Sequence, residues 1–130
     1  MAIDLNSNAA NNFKSIGKEA ILNEIRSLLI GKEEVVMAFQ AIRDHLVFTN
    51  KRIISITVDG QGLAGKRRSF VTIPYSRIEY FAIEAPGIAE LFPDSELVLV
   101  LRNGTTVKYS FKGSVDIARL GKAISEYILE

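Results

Sequence analysis

After Gly31 the spacing of apolar residues changes from helical to extended, and it stays extended as far as Phe111. No other feature constrains the chain as much. A period of two sends alternate side chains to opposite faces of a sheet, whereas a period near 3.6 builds a helix. Seven strands follow from it. Residues 34–43 are rich in Val, Met, Phe and Ile, a strand composition. Asp44 and His45 read as a turn, 46–49 as a second strand, and Asn50-Lys51 as a two-residue turn in which Asn tolerates positive φ. Residues 52–58 alternate Ile54, Ile56 and Val58. After a Gly-rich connection at 59–65, residues 68–73 form a fourth strand. Pro74 ends it, because proline donates nothing to a ladder. Residues 78–85, 96–102 and 105–111 complete the set, with Asn103-Gly104 as the strongest hairpin signal.

A helix stands at each end. Ile21, Leu22, Ile25, Leu28 and Leu29 share one face of a helix over 18–29, and Gly31 stops it. Residues 4–12 read as a lead-in that ends in a helical turn near Phe13. At the other end, Ser114 is placed to cap a helix and Asp116 suits its first turn. Ile117, Leu120, Ile124 and Ile128 form its apolar stripe. The expectation is a mainly β fold. Seven antiparallel strands, four before Pro74 and three after, make a bent sheet or partly open barrel. The C-terminal helix closes it, with the N-terminal helix as an extra element. In domain terms, residues 1–32 are a helical extension and 33–130 the domain proper.

Several short motifs resemble the bacterial pleckstrin-homology family. Phe48-Thr49-Asn50-Lys51-Arg52-Ile53-Ile54 resembles its F-T-N-x-R-hydrophobic signature. Ile73-Pro74-Tyr75 with Ile78 is similar to its I-P-Y-x-x-I element, Gly62-Leu63-Ala64-Gly65-Lys66 to its Gly-rich loop, and residues 115–129 to its terminal helix. The resemblance covers residues 33–130. The loop 86–95 is longer than the family pattern. The resemblance implies the pleckstrin-homology fold, an unknown physiological role and homo-oligomeric rings.

Composition narrows the chemistry. With 16 basic and 15 acidic residues the net charge is +1, so nothing attracts nucleic acid or an anionic membrane globally. There is no cysteine, which removes thiolate nucleophiles, disulfides and Cys-based zinc sites. No P-loop, G-x-S-x-G or paired metal-ligand motif occurs. His45 is the sole histidine, and beside Asp44 it reads as solvated turn chemistry rather than a general base. No catalytic residue, metal or cofactor is expected, and the chain reads as no enzyme. Phe48, Phe70, Phe81 and Phe111 fall at strand positions that read as core, which leaves no stacking platform for nucleic acid. The N-terminus has no basic and apolar leader, and the run Leu97–Leu101 is too short to span a bilayer as a helix. A cytoplasmic protein is expected.

Two surface features remain. Lys66, Arg67 and Arg68 form the one basic cluster. It reads first as a charged edge that discourages aggregation, and secondly as a site for an anion or a lipid headgroup. The second feature is an excess of apolar surface. If Arg102 opposes Thr105 across the Asn103-Gly104 turn, Val100 faces Val107 and Val98 faces Tyr109. Leu97, Leu99 and Leu101 then line the reverse face. Both faces of that hairpin are apolar, so something must cover the second one. The candidates are the N-terminal helix, through Ile21, Ile25 and Leu28, and a neighbouring subunit. Together they predict a non-enzymatic, self-assembling module. The rival readings are a membrane-surface adaptor working through the basic loop, and a protein partner.

Overall fold

The structure is a computed structural model that describes residues 12–59, 67–84, 94–113 and 116–129. Among the described residues eight strands form two sheets. In chain order the elements are β1 (Lys14–Ile16), α1 (Lys18–Ile25) with a 3-10 turn at Arg26–Leu28, β2 (Val35–Ala41), β3 (Asp44–Thr49), β4 (Arg52–Asp59), β5 (Arg67–Pro74), a 3-10 turn at Tyr75–Arg77, β6 (Ile78–Glu84), β7 (Ser95–Leu101), β8 (Thr106–Phe111) and α2 (Ile117–Ile128). The sheets are ordered β1-β2-β3-β4-β5 and β6-β7-β8, and each is open. The expected four-plus-three division is therefore five plus three. Lys-Ser-Ile is too short to display an alternation, and Phe13 beside it lies in a strand bridge rather than a helical turn. The chain divides into two compact units, Ser15–Pro74 and the described parts of Tyr75–Glu130 with the residues before Ser15.

In the unit Ser15–Pro74, strands β2 to β4 are apolar on both faces. On one face Ile21 and Ile25 of α1 pack among Val35, Ala38, Val47, Ile54 and Ile56. Both isoleucines are fully buried, which contributes roughly 1.5–3 kcal/mol each. The other face carries Phe39, Leu46, Phe48 and Ile53, all inaccessible to solvent. The rings of Phe39 and Phe48 meet edge to face at 5.9 Å. Helix α1 thus shares the core of the strands that follow it.

The β2–β3 turn falls at Ile42-Arg43, with Ala41 opposite Asp44, not at Asp44-His45 as the sequence suggested. Ile42 adopts φ +54°. That is the glycine position of a two-residue hairpin, and a β-branched residue there is strained by about 1–2 kcal/mol. The Gln40 amide donates to the Ile42 carbonyl at 3.2 Å. Nor does Asn50 use positive φ at the next turn. Its side chain accepts from Glu34 N–H at 2.9 Å and donates to the Lys32 carbonyl at 3.3 Å, tying the turn to the segment ahead of β2.

In the other unit, α2 begins at Asp116, whose Oδ1 accepts from Arg119 N–H at 3.0 Å. The expected cap Ser114 lies outside the described residues. Leu120 and Ile124 are buried. Gly121 gives the helix room beside β6, since a Cβ there would lie 3.1 Å from Ile83 Cδ1. The rings of Tyr75 and Tyr127 stack at 5.0 Å.

The β7–β8 connection corrects the expected register. Gly104 N–H donates to the Leu101 carbonyl at 2.9 Å, and Leu101 N–H donates to the Thr105 carbonyl at 2.8 Å. Gly104 is left-handed at φ +91°. The connection is a three-residue loop with a glycine bulge, not a two-residue turn. Leu99 consequently opposes Val107 and Leu97 opposes Tyr109, while Val98 opposes Lys108 and Val100 opposes Thr106. A shift of one residue exchanges the faces of a strand.

Candidate functional site

The structure separates most of the residues that the sequence singled out for interfaces. Ile21 and Ile25 lie in the core under α1, with Leu28 half-buried against them. Leu97 and Leu99 are fully buried and Leu101 half-buried. None of the four fully buried side chains presents a surface. The accessible face of β6–β8 instead carries Tyr80, Ala82, Val98 and Val100 beside Thr106 and Lys108. Tyr80 is 59% exposed.

Of the basic cluster, Lys66 and the Gly-rich loop before it lie outside the described residues. Arg67 and Arg68 open β5 and are both exposed. Successive residues of a strand point to opposite faces, so only Arg68 turns toward the α1 side. There it meets residues that the sequence did not connect with it. Glu24 of α1, Gln40 of β2, Ile42 and Arg43 of the hairpin, His45 of β3, Val58 of β4 and Arg68 line a cleft of about 320 Å³. Arg68 Nη1 lies 3.6 Å from Glu24 Oε2, longer than a charge-assisted hydrogen bond. His45 is only 9% exposed, and its Nδ1 is buried without a protein hydrogen-bond partner among the described residues. Such an orphan costs about 1–3 kcal/mol.

A second polar cluster is fully satisfied. The Glu33 carboxylate, inaccessible to solvent, accepts from Arg52 Nε at 2.9 Å and Arg52 Nη2 at 3.0 Å. It also accepts from Thr49 Oγ1 at 2.6 Å and Ile30 N–H at 3.1 Å. Arg52 Nη2 donates further to the Leu28 carbonyl at 2.7 Å. Burial pushes the Glu33 carboxyl up, but these hydrogen bonds and the Arg52 charge outweigh it and hold the group below the ordinary 4.5. Among the described residues no group of three His, Asp or Glu could hold a metal ion, and no helix is long and apolar enough to cross a membrane.

Residues 4–128 match the family model described as Bacterial PH domain. The chain belongs to the bacterial PH domain family. It is 34% identical over 116 residues to the uncharacterised protein YjqA of Bacillus subtilis, covering 88% of this chain and 90% of that protein. It is 26% identical over 114 residues to the uncharacterised YozO of the same organism, covering 88% and 95%. Its fold is similar to that of a DUF1696-family protein with a pleckstrin-homology domain from Shewanella loihica, at TM-score 0.75 and 29% identity over 92% of this chain and 99% of the other. A pleckstrin homology domain from Shewanella amazonensis gives TM-score 0.66 and 32% identity over 88% and 90%.

In this bacterial PH domain the F-T-N-x-R signature makes the fold. Thr49 Oγ1 accepts the N–H groups of Lys51 and Arg52, both at 3.0 Å, while Asn50 and Arg52 fasten residues 28–34 onto the β3–β4 turn. Glu33, their common anchor, was missed in the sequence because it lies 16 and 19 residues from Thr49 and Arg52.

Proposed function

We propose that this bacterial PH domain is a cytoplasmic, non-catalytic module that assembles with copies of itself. One observation carries the reading. The middle of β7 is apolar on both faces: Leu97 and Leu99 are buried on one, and the half-buried Val98 and Val100, next to Glu96 and beside the exposed Tyr80, lie on the accessible other. A strand with one wet face normally alternates apolar and polar residues, and contiguous exposed apolar side chains mark association surfaces. The docking face expected from the leucines thus moves to the valines. Light scattering at micromolar protein tests it. The native chain is expected to run well above its 14.4 kDa, and Val98→Lys with Val100→Lys to reduce it to a folded monomer. A native chain that is monomeric at these concentrations rejects the proposal.

A second reading, a membrane-surface adaptor, draws on the exposure of Arg67 and Arg68. Flotation with anionic and neutral vesicles tests it, and equal, negligible binding to both removes it.

A further inference from the structure

We propose that the outer edge of β5 binds an extended peptide as an added antiparallel strand, docked along residues 69–73 and carrying an acidic residue at its C-terminal end. The site does not depend on self-assembly.

A strand that ends a sheet has unpaired N–H and C=O groups, which proteins guard by brevity, charge, a bulge or a covering segment. Among the described residues four strands end a sheet, and three of them are guarded. β1 has three residues, the first of them Lys14. β6 carries the exposed Glu79 and Glu84 and a register shift between Ile78 and Tyr80. β8 has Phe13, whose main chain bonds to Ser110 and Lys112. β5 differs. It pairs with β4 from Arg67 to Pro74 without a register shift, and among the described residues no strand pairs with its other side. Between Arg68 and Pro74 it reads Ser-Phe-Val-Thr-Ile, with no charge, proline or glycine. Phe, Val, Thr and Ile favour extended backbone, and Phe70 is 42% exposed. An unguarded edge of this kind is a template for another strand.

Charge selects the occupant. Arg67 and Arg68 start β5, so an antiparallel partner meets them with its C-terminal end, where opposite charge is favoured. β4 has that order of residues on the paired side: Ile54 opposes Thr72, Ile56 opposes Phe70 and Asp59 opposes Arg67. A second copy of the chain fits less well. Antiparallel pairing of residues 69–73 with themselves sets Arg67 opposite Tyr75 and Arg68 opposite Pro74, neither of them acidic. Main-chain hydrogen bonds supply the affinity in strand addition and alternate side chains the specificity, while the arginines set the direction.

The probe is a fluorescent synthetic peptide with the sequence of Arg52–Asp59, the strand β5 already accepts. Titrated with the full chain, it is expected to bind saturably and to slow amide hydrogen exchange at alternate residues within 69–73. Two further peptides are N-methylated on alternate residues, one on each set. One set of N–H groups faces β5, so one peptide is expected to bind about ten-fold or more weakly through lost hydrogen bonds, and the other nearly as well as the parent. These controls leave the protein unaltered. A peptide ending in Lys instead of Asp is expected to bind more weakly. In the protein, Phe70→Lys, at an exposed position, is expected to keep its unfolding midpoint and to weaken binding about ten-fold or more, as edge lysines do in natural sheets. No saturable binding, an equal effect of the two methylation patterns, or protection at β6 in place of β5 overturns the proposal. A fall in molecular mass on Phe70→Lys, read by light scattering, assigns the edge to a second copy and overturns the peptide as its occupant.

Discussion

Arg52 grips Glu33 along one edge of its guanidinium, with Nε 2.9 Å from Oε2 and Nη2 3.0 Å from Oε1. The fork joins β4 to the segment ahead of β2. Because the Glu33 side chain is inaccessible to solvent, removing its partner strands a buried charge. Arg52→Met is expected to cost about 3 kcal/mol in urea unfolding. A loss below about 1 kcal/mol would place this pair among ordinary surface ion pairs.

The same carboxylate gives stability a pH dependence. Its folded value is depressed below the unfolded 4.5. Its contribution is therefore fully present above the unfolded value and is lost as pH falls through the folded one. Unfolding midpoints of the native chain are expected to drop below about pH 4.5. Glu33→Gln should be less stable at neutral pH and show a shallower acid decline. Parallel declines in the two proteins would assign the loss to other carboxylates.

The register of β7 can be read from a pair of substitutions. Leu99→Ala is expected to cost about 3 kcal/mol, as for a fully buried leucine. Val98→Ala, on the accessible face, should cost less than about 1 kcal/mol when measured on the monomer. Equal costs would contradict the face assignment.

Ile42→Gly is expected to stabilise the chain. Release of the left-handed isoleucine returns about 1–2 kcal/mol, and the added freedom of the unfolded glycine takes back about 0.5–1 kcal/mol. A higher unfolding midpoint is the readout, and a lower one would mean that the side chain contributes packing at this exposed turn.

The strands were legible because two-fold alternation survives in short runs such as Ile54, Ile56 and Val58. The turns between them were less so. No local rule places isoleucine at a left-handed position, so Asp44-His45 looked the better turn and a buried histidine was read as solvated. Asn103-Gly104 invited a two-residue loop, and one additional loop residue moved the leucines from candidate interface to core. The five-stranded sheet and the cleft share the opposite difficulty. Their members sit far apart in the chain, and nothing local to Arg68 points to Arg43, His45 or Glu24. Of these residues the sequence drew attention only to His45, read as solvated, and to Arg68, as part of a cluster whose Lys66 falls outside the described residues.

Phe13 carries a practical consequence. Its N–H donates to the Ser110 carbonyl at 2.8 Å and its carbonyl accepts from Lys112 N–H at 2.9 Å, while its ring lies against Tyr109 and Phe111. This single residue occupies part of the outer edge of β8. Trimming the chain to Gly17 would remove both of these main-chain hydrogen bonds and bare part of that rim beside aromatic rings, the kind of margin onto which foreign strands add. Fragments cut there should precipitate on concentration, whereas those beginning at Asn12 keep the margin closed.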